Sequence, residues 1–255
     1  MKLHARIIGE PGTPLIILHG FLGSGDNWKT LGNAYAAAGY HTHLIDARNH
    51  GRSPHDDVHD YDAMASDVAQ YLDDHNLDRV HLIGHSMGGK TAMTFMGQHP
   101  GRVAQPIIAD IAPRYYPPHH QVIIDALLSV DLDIATTRQD VDDQLARHID
   151  DVGIRMFLMK SLYRVDRMKF GWRFNLDVLQ DVQDTIGTAQ DYGTYDEPVL
   201  FIRGGASNYI QDSDWEKIVH AFAKAELETI PNVGHWLHAE APEQFLEHSL
   251  KFLRS

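Results

Sequence analysis

The sequence predicts an α/β protein: a mostly parallel, twisted sheet flanked by helices, with one helical cap inserted into it. Three observations predict it. Short apolar runs alternate with longer stretches of helical period, as repeated strand–helix units require. The rhythm breaks at Pro113 and resumes near residue 196, with strand-like runs on both sides that one sheet must share. The 255 residues, 43% hydrophobic and 22% charged, suffice for one large domain of ordinary globular composition. The expected division is a core of residues 1–112 and 196–255 around a cap of residues 113–195.

Residues 3–8 and 14–19 read as strands joined by a turn at residues 9–12, a hairpin. A helix over residues 28–38 and a strand over 41–46 follow. Met64, Val68, Tyr71 and Leu72 recur at helical spacing in Tyr61–Asp74. Residues 79–84 form a strand that runs into Ser86-Met87-Gly88-Gly89 and a helix to about His99, and residues 103–111 form the next strand. From Pro113 to about Tyr195 the patterns are mostly helical, without a clear strand. This stretch carries Met156, Phe157, Leu158, Met159, Leu162, Met168, Phe170, Trp172 and Phe174, either the cap's own core or an adaptable lining for an acyl chain. Strands at 198–203 and 228–230 flank a helix at 213–224. The last helix starts near Pro242, with Phe245, Leu246, Leu250 and Leu253 on one face.

Composition excludes several classes. With no cysteine there is no disulfide framework, thiolate zinc site, iron–sulfur cluster or cysteine nucleophile. A formal charge of −13 argues against a nucleic-acid partner. Apolar runs fall far short of the roughly 20 residues that span a bilayer, and the N-terminal residues lack the apolar region of a secretory signal. A cytoplasmic protein acting on a small molecule is expected, and the sequence leaves its oligomeric state open. His41-x-His43 and His119-His120 lack the spacing of a metalloprotease helix, so neither a metal nor another cofactor is expected. The charge is uneven: residues 153–175 hold six basic side chains against Asp166, locally +5. That excess is either paired with acidic neighbours or guides an anionic substrate.

Gly84-His85-Ser86-Met87-Gly88 matches G-x-S-x-G between a strand and a helix, the context of a nucleophile elbow. A sharp turn there exposes the serine hydroxyl, and the helix that follows aims its free N–H groups at developing negative charge. Ser86 also excludes an aspartate nucleophile at the elbow. Serine needs a base, and His235, after the last strand, closes the expected order of nucleophile, acid, histidine. His19-Gly20-Phe21-Leu22-Gly23 is similar to the H-G-x-x-G segment of folds with such an elbow, which assigns Phe21 N–H, paired with Met87 N–H, as the expected oxyanion hole; a plain turn is the other reading. Arg48-Asn49-His50-Gly51-Arg52-Ser53 reads as a hydrogen-bonded loop supporting the site. The acid is less direct. The usual position after strand 198–203 is occupied by Ser207, and the carboxylates near it are Asp212 and Asp214. Asp110, ending strand 103–111, is the other carboxylate within reach.

Taken together, these residues make the chain resemble the α/β-hydrolases, and among them the small YbfF-type esterases. The resemblance rests on His19-Gly20 with Gly23-Ser24, Arg48-Asn49-His50-Gly51-x-Ser53, Gly84-His85-Ser86-Met87-Gly88-Gly89-Lys90, Asp110-Ile111-Ala112-Pro113, Trp172-Arg173-Phe174-Asn175 and Gly234-His235-Trp236. The segments around Asn49, Lys90 and Asn175 narrow it beyond the elbow. It implies that Asp110 is the acid, with Ser207 as an auxiliary hydrogen-bonding partner. Trp236, Arg173 and Phe174 are the candidate substrate contacts. The expected activity is hydrolysis of carboxylic esters through an acyl-enzyme. The alternatives are an acyl thioesterase, a carbon–carbon bond hydrolase and a non-catalytic binding module of the same fold.

Overall fold

The computed structural model describes residues 1–167, 169–190 and 192–255. Met168, counted above with the apolar cap residues, lies outside them. The first half of the chain contributes β1 (Ala5–Ile8), β2 (Thr13–Leu18), α1 (Lys29–Ala37), β3 (Tyr40–Ile45), α2 (Tyr61–Asp74), β4 (Val80–His85), α3 (Met87–Gln98) and β5 (Val103–Ala109). The inserted stretch holds α4 (Gln121–Ser129), α5 (Arg138–Leu145), α6 (Val152–Met159), β6 (Leu162–Arg164), β7 (Phe170–Trp172), α7 (Leu176–Leu179) and α8 (Gln183–Gly187). The chain finishes with β8 (Val199–Gly204), α9 (Trp215–Ala221), β9 (Ala225–Ile230), α10 (Leu237–Glu240) and α11 (Pro242–Leu253).

Seven strands form one sheet in the order β1-β3-β2-β4-β5-β8-β9, parallel throughout except for β1 against β3. Side chains of a strand alternate between faces, and β2 shows what each face meets. Leu15 and Ile17 pack with Trp28, Leu31 and Tyr35 around α1 and with Phe245 and Phe252 of α11. Ile16 and Leu18 pack with Val68, Tyr71 and Leu72 of α2 and Met93 and Phe95 of α3. Burial on both faces explains why β2 reads as an unbroken apolar run.

The expected hairpin is not formed. β1 and β2 do not pair, because β3 lies between them, antiparallel to β1 and parallel to β2. The reason is burial: Leu15, Ile16 and Ile17 are fully buried and need strands on both sides, whereas Ile7 of β1 is 45% exposed and suits an edge. The expectation of a cap without strands is also corrected. β6 and β7 pair antiparallel through Leu162↔Trp172, Tyr163↔Gly171 and Arg164↔Phe170. Three-residue strands are too short to print a period of two in the sequence.

The inserted elements pack around Ile124, Leu127, Val141, Leu158, Phe170 and Phe174, in a cluster that also takes in Phe21, Tyr61 and Met87. Polar ties fasten them to the core, those of Asn49 and Lys90 among them. Asn175 N donates to Asn49 O at 2.9 Å, and its side-chain amide donates to Asn49 Oδ1 at 3.1 Å. Buried Lys90 donates from Nζ to the carbonyls of Gly187 (2.9 Å) and Thr188 (2.5 Å) at the end of α8. Asn49, Lys90 and Asn175, which narrowed the resemblance, thus hold the cap in place. Among the described residues no helix is long and apolar enough to cross a membrane.

Candidate active site

Ser86 sits between β4 and α3 at φ 53°, ψ −117°, a left-handed φ that a non-glycine residue adopts only under constraint. The turn is too tight for side chains on either flank. A Cβ on Gly84 would lie 2.3 Å from Gly88 O, and one on Gly88 would lie 2.3 Å from Leu18 O. Ser86 N donates to Ala109 O at the end of β5 at 3.1 Å, and across the turn Lys90 N donates to Ser86 O at 3.0 Å.

The loop after β2 lies against this turn. A Cβ on Gly20 would come within 3.3 Å of Ser86 Cβ. Leu22 N donates to His50 Nε2 at 3.1 Å, and His50 Nδ1 donates to Arg48 O at 2.9 Å, which fixes His50 as the Nδ1-protonated neutral tautomer. Burial, the largest cause, pushes the His50 imidazole well below its usual value and keeps it neutral. The 48–53 loop therefore braces the 19–23 segment. Among the described residues, the N–H groups of Phe21 and Met87 donate to no protein acceptor.

Asp110 follows β5 at φ 50°, fully buried, with its N–H bonded to Ile202 O of β8 at 2.8 Å. Its Oδ1 accepts from Gly204 N at 3.1 Å, and its Oδ2 accepts from Ser207 Oγ and from His235 Nδ1, the latter at 2.8 Å. Asp212 and Asp214 lie elsewhere. Asp212 pairs with Arg203 at 2.7 Å, and Asp214 pairs with Arg114 at 3.0 Å while accepting from Gln211 N. Burial raises the Asp110 carboxyl to about 6, against the opposing bonds from Ser207 and Gly204. Burial, helped by repulsion from His119, lowers the His235 imidazole to about 3, so it rests neutral. Both shifts share one cause, the loss of water around a charge.

Three further side chains frame His235 and carried no signal in the sequence beyond their neighbourhood. Tyr209 stacks on its ring, centroids 3.6 Å apart at 13°, and donates its backbone N–H to Ser207 Oγ at 3.2 Å. The Tyr209 hydroxyl is hydrogen-bonded to His119. His85 Nε2 donates to His235 O at 2.9 Å and so anchors that loop to the elbow.

Ser86 and His235 open on one cavity of about 210 Å³. Its walls include Phe21, Trp28, Ile154, Phe157, Leu158 and Trp236. No hydrogen bond joins Ser86 Oγ to His235 among the described residues; such contacts often tighten only once substrate is bound. Arg173 and Phe174 are not in this wall. The Arg173 guanidinium covers the Tyr163 ring at 4.5 Å, and Phe174 is buried against Trp172, so both serve packing within the cap. Several of the cap's basic groups are likewise engaged: Arg155 with Asp142 at 2.9 Å, Lys169 with Asp133 at 3.0 Å, and Arg164 over the Phe170 ring.

The family model described as "Alpha/beta hydrolase family" matches residues 15–248. The chain belongs to this family. It is 44% identical to a solved marine microorganism esterase, covering 98% of this chain and 99% of that one with a TM-score of 0.94. It is 35% identical to the esterase YbfF of Escherichia coli K12, over 94% of this chain and 93% of the relative. It is also 37% identical to the mouse sn-1-specific diacylglycerol lipase ABHD11, over 96% of this chain and 82% of that protein.

Proposed function

We propose that this α/β-hydrolase cleaves carboxylic esters with Ser86 as nucleophile, His235 as base and Asp110 as the carboxylate that orients and supports the imidazole. The observation that carries this reading is the contact from His235 Nδ1 to Asp110 Oδ2 at 2.8 Å. A carboxylate can only accept there, so Nδ1 keeps its proton and Nε2 presents a lone pair on the side away from Asp110. Kinship with proteins named as esterases and a lipase supports the same chemistry.

The cycle needs no cofactor. Ser86 Oγ bonds to the acyl carbon and its proton passes to His235 Nε2, while the carbonyl electron pair moves onto oxygen. The N–H groups of Phe21 and Met87 receive that oxyanion, and each such donor contributes about 3–4 kcal/mol to the barrier reduction. Imidazolium formation is supported by Asp110, whose ionised form Ser207 and Gly204 N stabilise. The tetrahedral species then expels the alkoxide, which takes the proton from Nε2. Water repeats the sequence on the acyl-enzyme, releasing the acid and returning the proton to Ser86. Trp236 and the apolar wall of the cavity hold the substrate. A cytoplasmic location and a small-molecule substrate belong to the same reading.

Fluorophosphonate labelling followed by peptide mapping, with Ser86→Ala as the blank, tests it. Labelling at Ser86 together with turnover of an aryl ester is expected. A chain that turns over esters without labelling at Ser86, or does neither, overturns the assignment.

A further inference from the structure

The second half of the reaction makes a demand that the first does not. Ser86 is tethered to the chain, but the water that must cleave the acyl-enzyme is free. Once the alcohol has left, the cavity of about 210 Å³ has room for several waters, and one must stand over the acyl carbon. A water held in place takes about two to four polar partners. His235 Nε2 is one of them, because it receives a proton from the attacking oxygen.

Most of the other imidazoles around the cavity are already bonded within the protein. His19 Nδ1 donates to Gly20 O at 2.8 Å, and its Nε2 accepts from Ala47 N at 3.0 Å. His85 Nε2 donates to His235 O. His119 Nδ1 donates to Pro117 O at 2.8 Å, which leaves its Nε2 as the acceptor for the Tyr209 hydroxyl. His238 lies flat on Trp28, ring centroids 4.2 Å apart.

His120 differs. Its backbone is fixed at the start of α4, where its carbonyl accepts from Ile124 N at 3.0 Å. Its ring packs edge-on against the Phe21 ring, centroids 5.0 Å apart, and lies 4.0 Å from the His119 ring. His120 lines the cavity of Ser86 and His235, and also a smaller neighbouring cavity whose wall shares Phe21 and Ser86. It therefore stands where the two cavities meet, beside the nucleophile and the oxyanion hole. Among the described residues its ring nitrogens make no hydrogen bond, and neither is sealed from solvent in this half-buried side chain. Burial, the largest cause, with repulsion from His119 and His235, lowers the imidazole to about 3. A neutral His120 keeps one lone-pair nitrogen, and it spares His235 a charged neighbour when that ring becomes imidazolium.

We propose that His120 holds the hydrolytic water of the second half-reaction, its unprotonated ring nitrogen accepting one hydrogen while His235 Nε2 takes the other. The water oxygen bonds to the acyl carbon as its proton passes to Nε2 and the carbonyl pair moves onto oxygen. The bond to Ser86 Oγ then breaks, and Oγ takes the proton from Nε2. The hydrogen facing His120 leaves with the released acid, so His120 itself gains no proton. The proposal rests on the roles of Ser86 and His235 given above.

The test is the fate of the acyl-enzyme formed from 4-nitrophenyl acetate in water containing a fixed share of methanol. Methanol has one hydroxyl hydrogen, which goes to His235, and none left for His120. The product ratio of methyl acetate to acetate therefore reads the hold on water alone, whichever step limits turnover. That ratio should rise about five- to tenfold in His120→Phe, the worth of one hydrogen bond. Without methanol, the same variant should keep the acylation burst rate within about threefold while steady-state turnover falls by that five- to tenfold factor. His120→Leu, smaller and also without an acceptor, should show the same shift. His120→Gln keeps an acceptor and should hold the ratio within about threefold of wild type, which a mere change in cavity polarity would not predict. An unchanged ratio in the Phe and Leu variants, or a Gln variant shifted as far as they are, overturns the proposal while leaving the ester-hydrolase reading intact. Absence of ester turnover and of Ser86 labelling in wild type overturns that reading itself, and the role of His120 with it.

Discussion

Replacing Asp110 by asparagine separates the two demands the fold places on this carboxylate. In the wild type its Oδ2 accepts from His235 Nδ1 at 2.8 Å while Oδ1 accepts from Gly204 N at 3.1 Å. Asparagine keeps the shape but can present N–H₂ to Nδ1, which favours the tautomer protonated at Nε2 and removes the lone pair that should take the serine proton. It also removes the negative charge that stabilises the imidazolium. For an equivalent loss in serine hydrolysis the cost is about 10⁴ in turnover, or about 5.5 kcal/mol of barrier. Stability should move the other way. The folded carboxyl is raised to about 6 from an ordinary 3.8, so the fold binds this proton more tightly than the unfolded chain does. Burying the ionised group therefore costs stability above pH 6, up to about 3 kcal/mol, and that cost disappears below the unfolded value. Asp110→Asn should lower kcat on an aryl ester by three to four orders of magnitude at pH 8. Its melting temperature at that pH should be at or above that of wild type. Asp212→Asn and Asp214→Asn serve as controls and should keep turnover within about threefold. Turnover of Asp110→Asn within tenfold of wild type would refute the reasoning.

The pH profile of kcat/KM should show an acid limb near pH 6, because activity needs Asp110 ionised and is lost as pH falls through the raised value; the limb belongs to the coupled Asp110–His235 pair rather than to one group. A profile flat from pH 7 to 4.5 would contradict it. Ser207→Ala removes a bond that favours the ionised carboxylate, so the same limb should move upward by about one pH unit, with kcat at pH 8 falling about fivefold. Tyr209→Ala strips the ring stacked 3.6 Å from His235 and should lower kcat about tenfold, whereas Tyr209→Phe keeps the stack and should stay within about threefold. Gly88→Ala puts a Cβ 2.3 Å from Leu18 O, where backbone meets backbone. It should destabilise the fold by about 3 kcal/mol, read as a fall in denaturation midpoint; an unchanged midpoint would show that the turn relaxes.

Sequence alone determined what depends on neighbours along the chain. The strand, sharp turn and helix around Ser86 are written within a few residues, because the turn leaves no space for side chains at Gly84 and Gly88. The parallel sheet was legible for a similar reason, since strands buried on both faces read as unbroken apolar runs. Pairing was not. β1 and β2 follow each other in the chain, yet β3 separates them, and β6 with β7 is too short to leave a pattern. Three carboxylates were open as partners for His235, and local sequence treats them alike. The order β4-β5-β8-β9 decides among them. It sets the ends of β5 and β8 side by side, so Asp110 N reaches Ile202 O and the carboxyl meets His235, 125 residues away in the chain. The same folding buried Phe174 in the cap, laid the half-buried Arg173 over Tyr163 and stacked Tyr209 on His235. Contacts of that range depend on where strands end in a sheet, which only the packed tertiary structure decides.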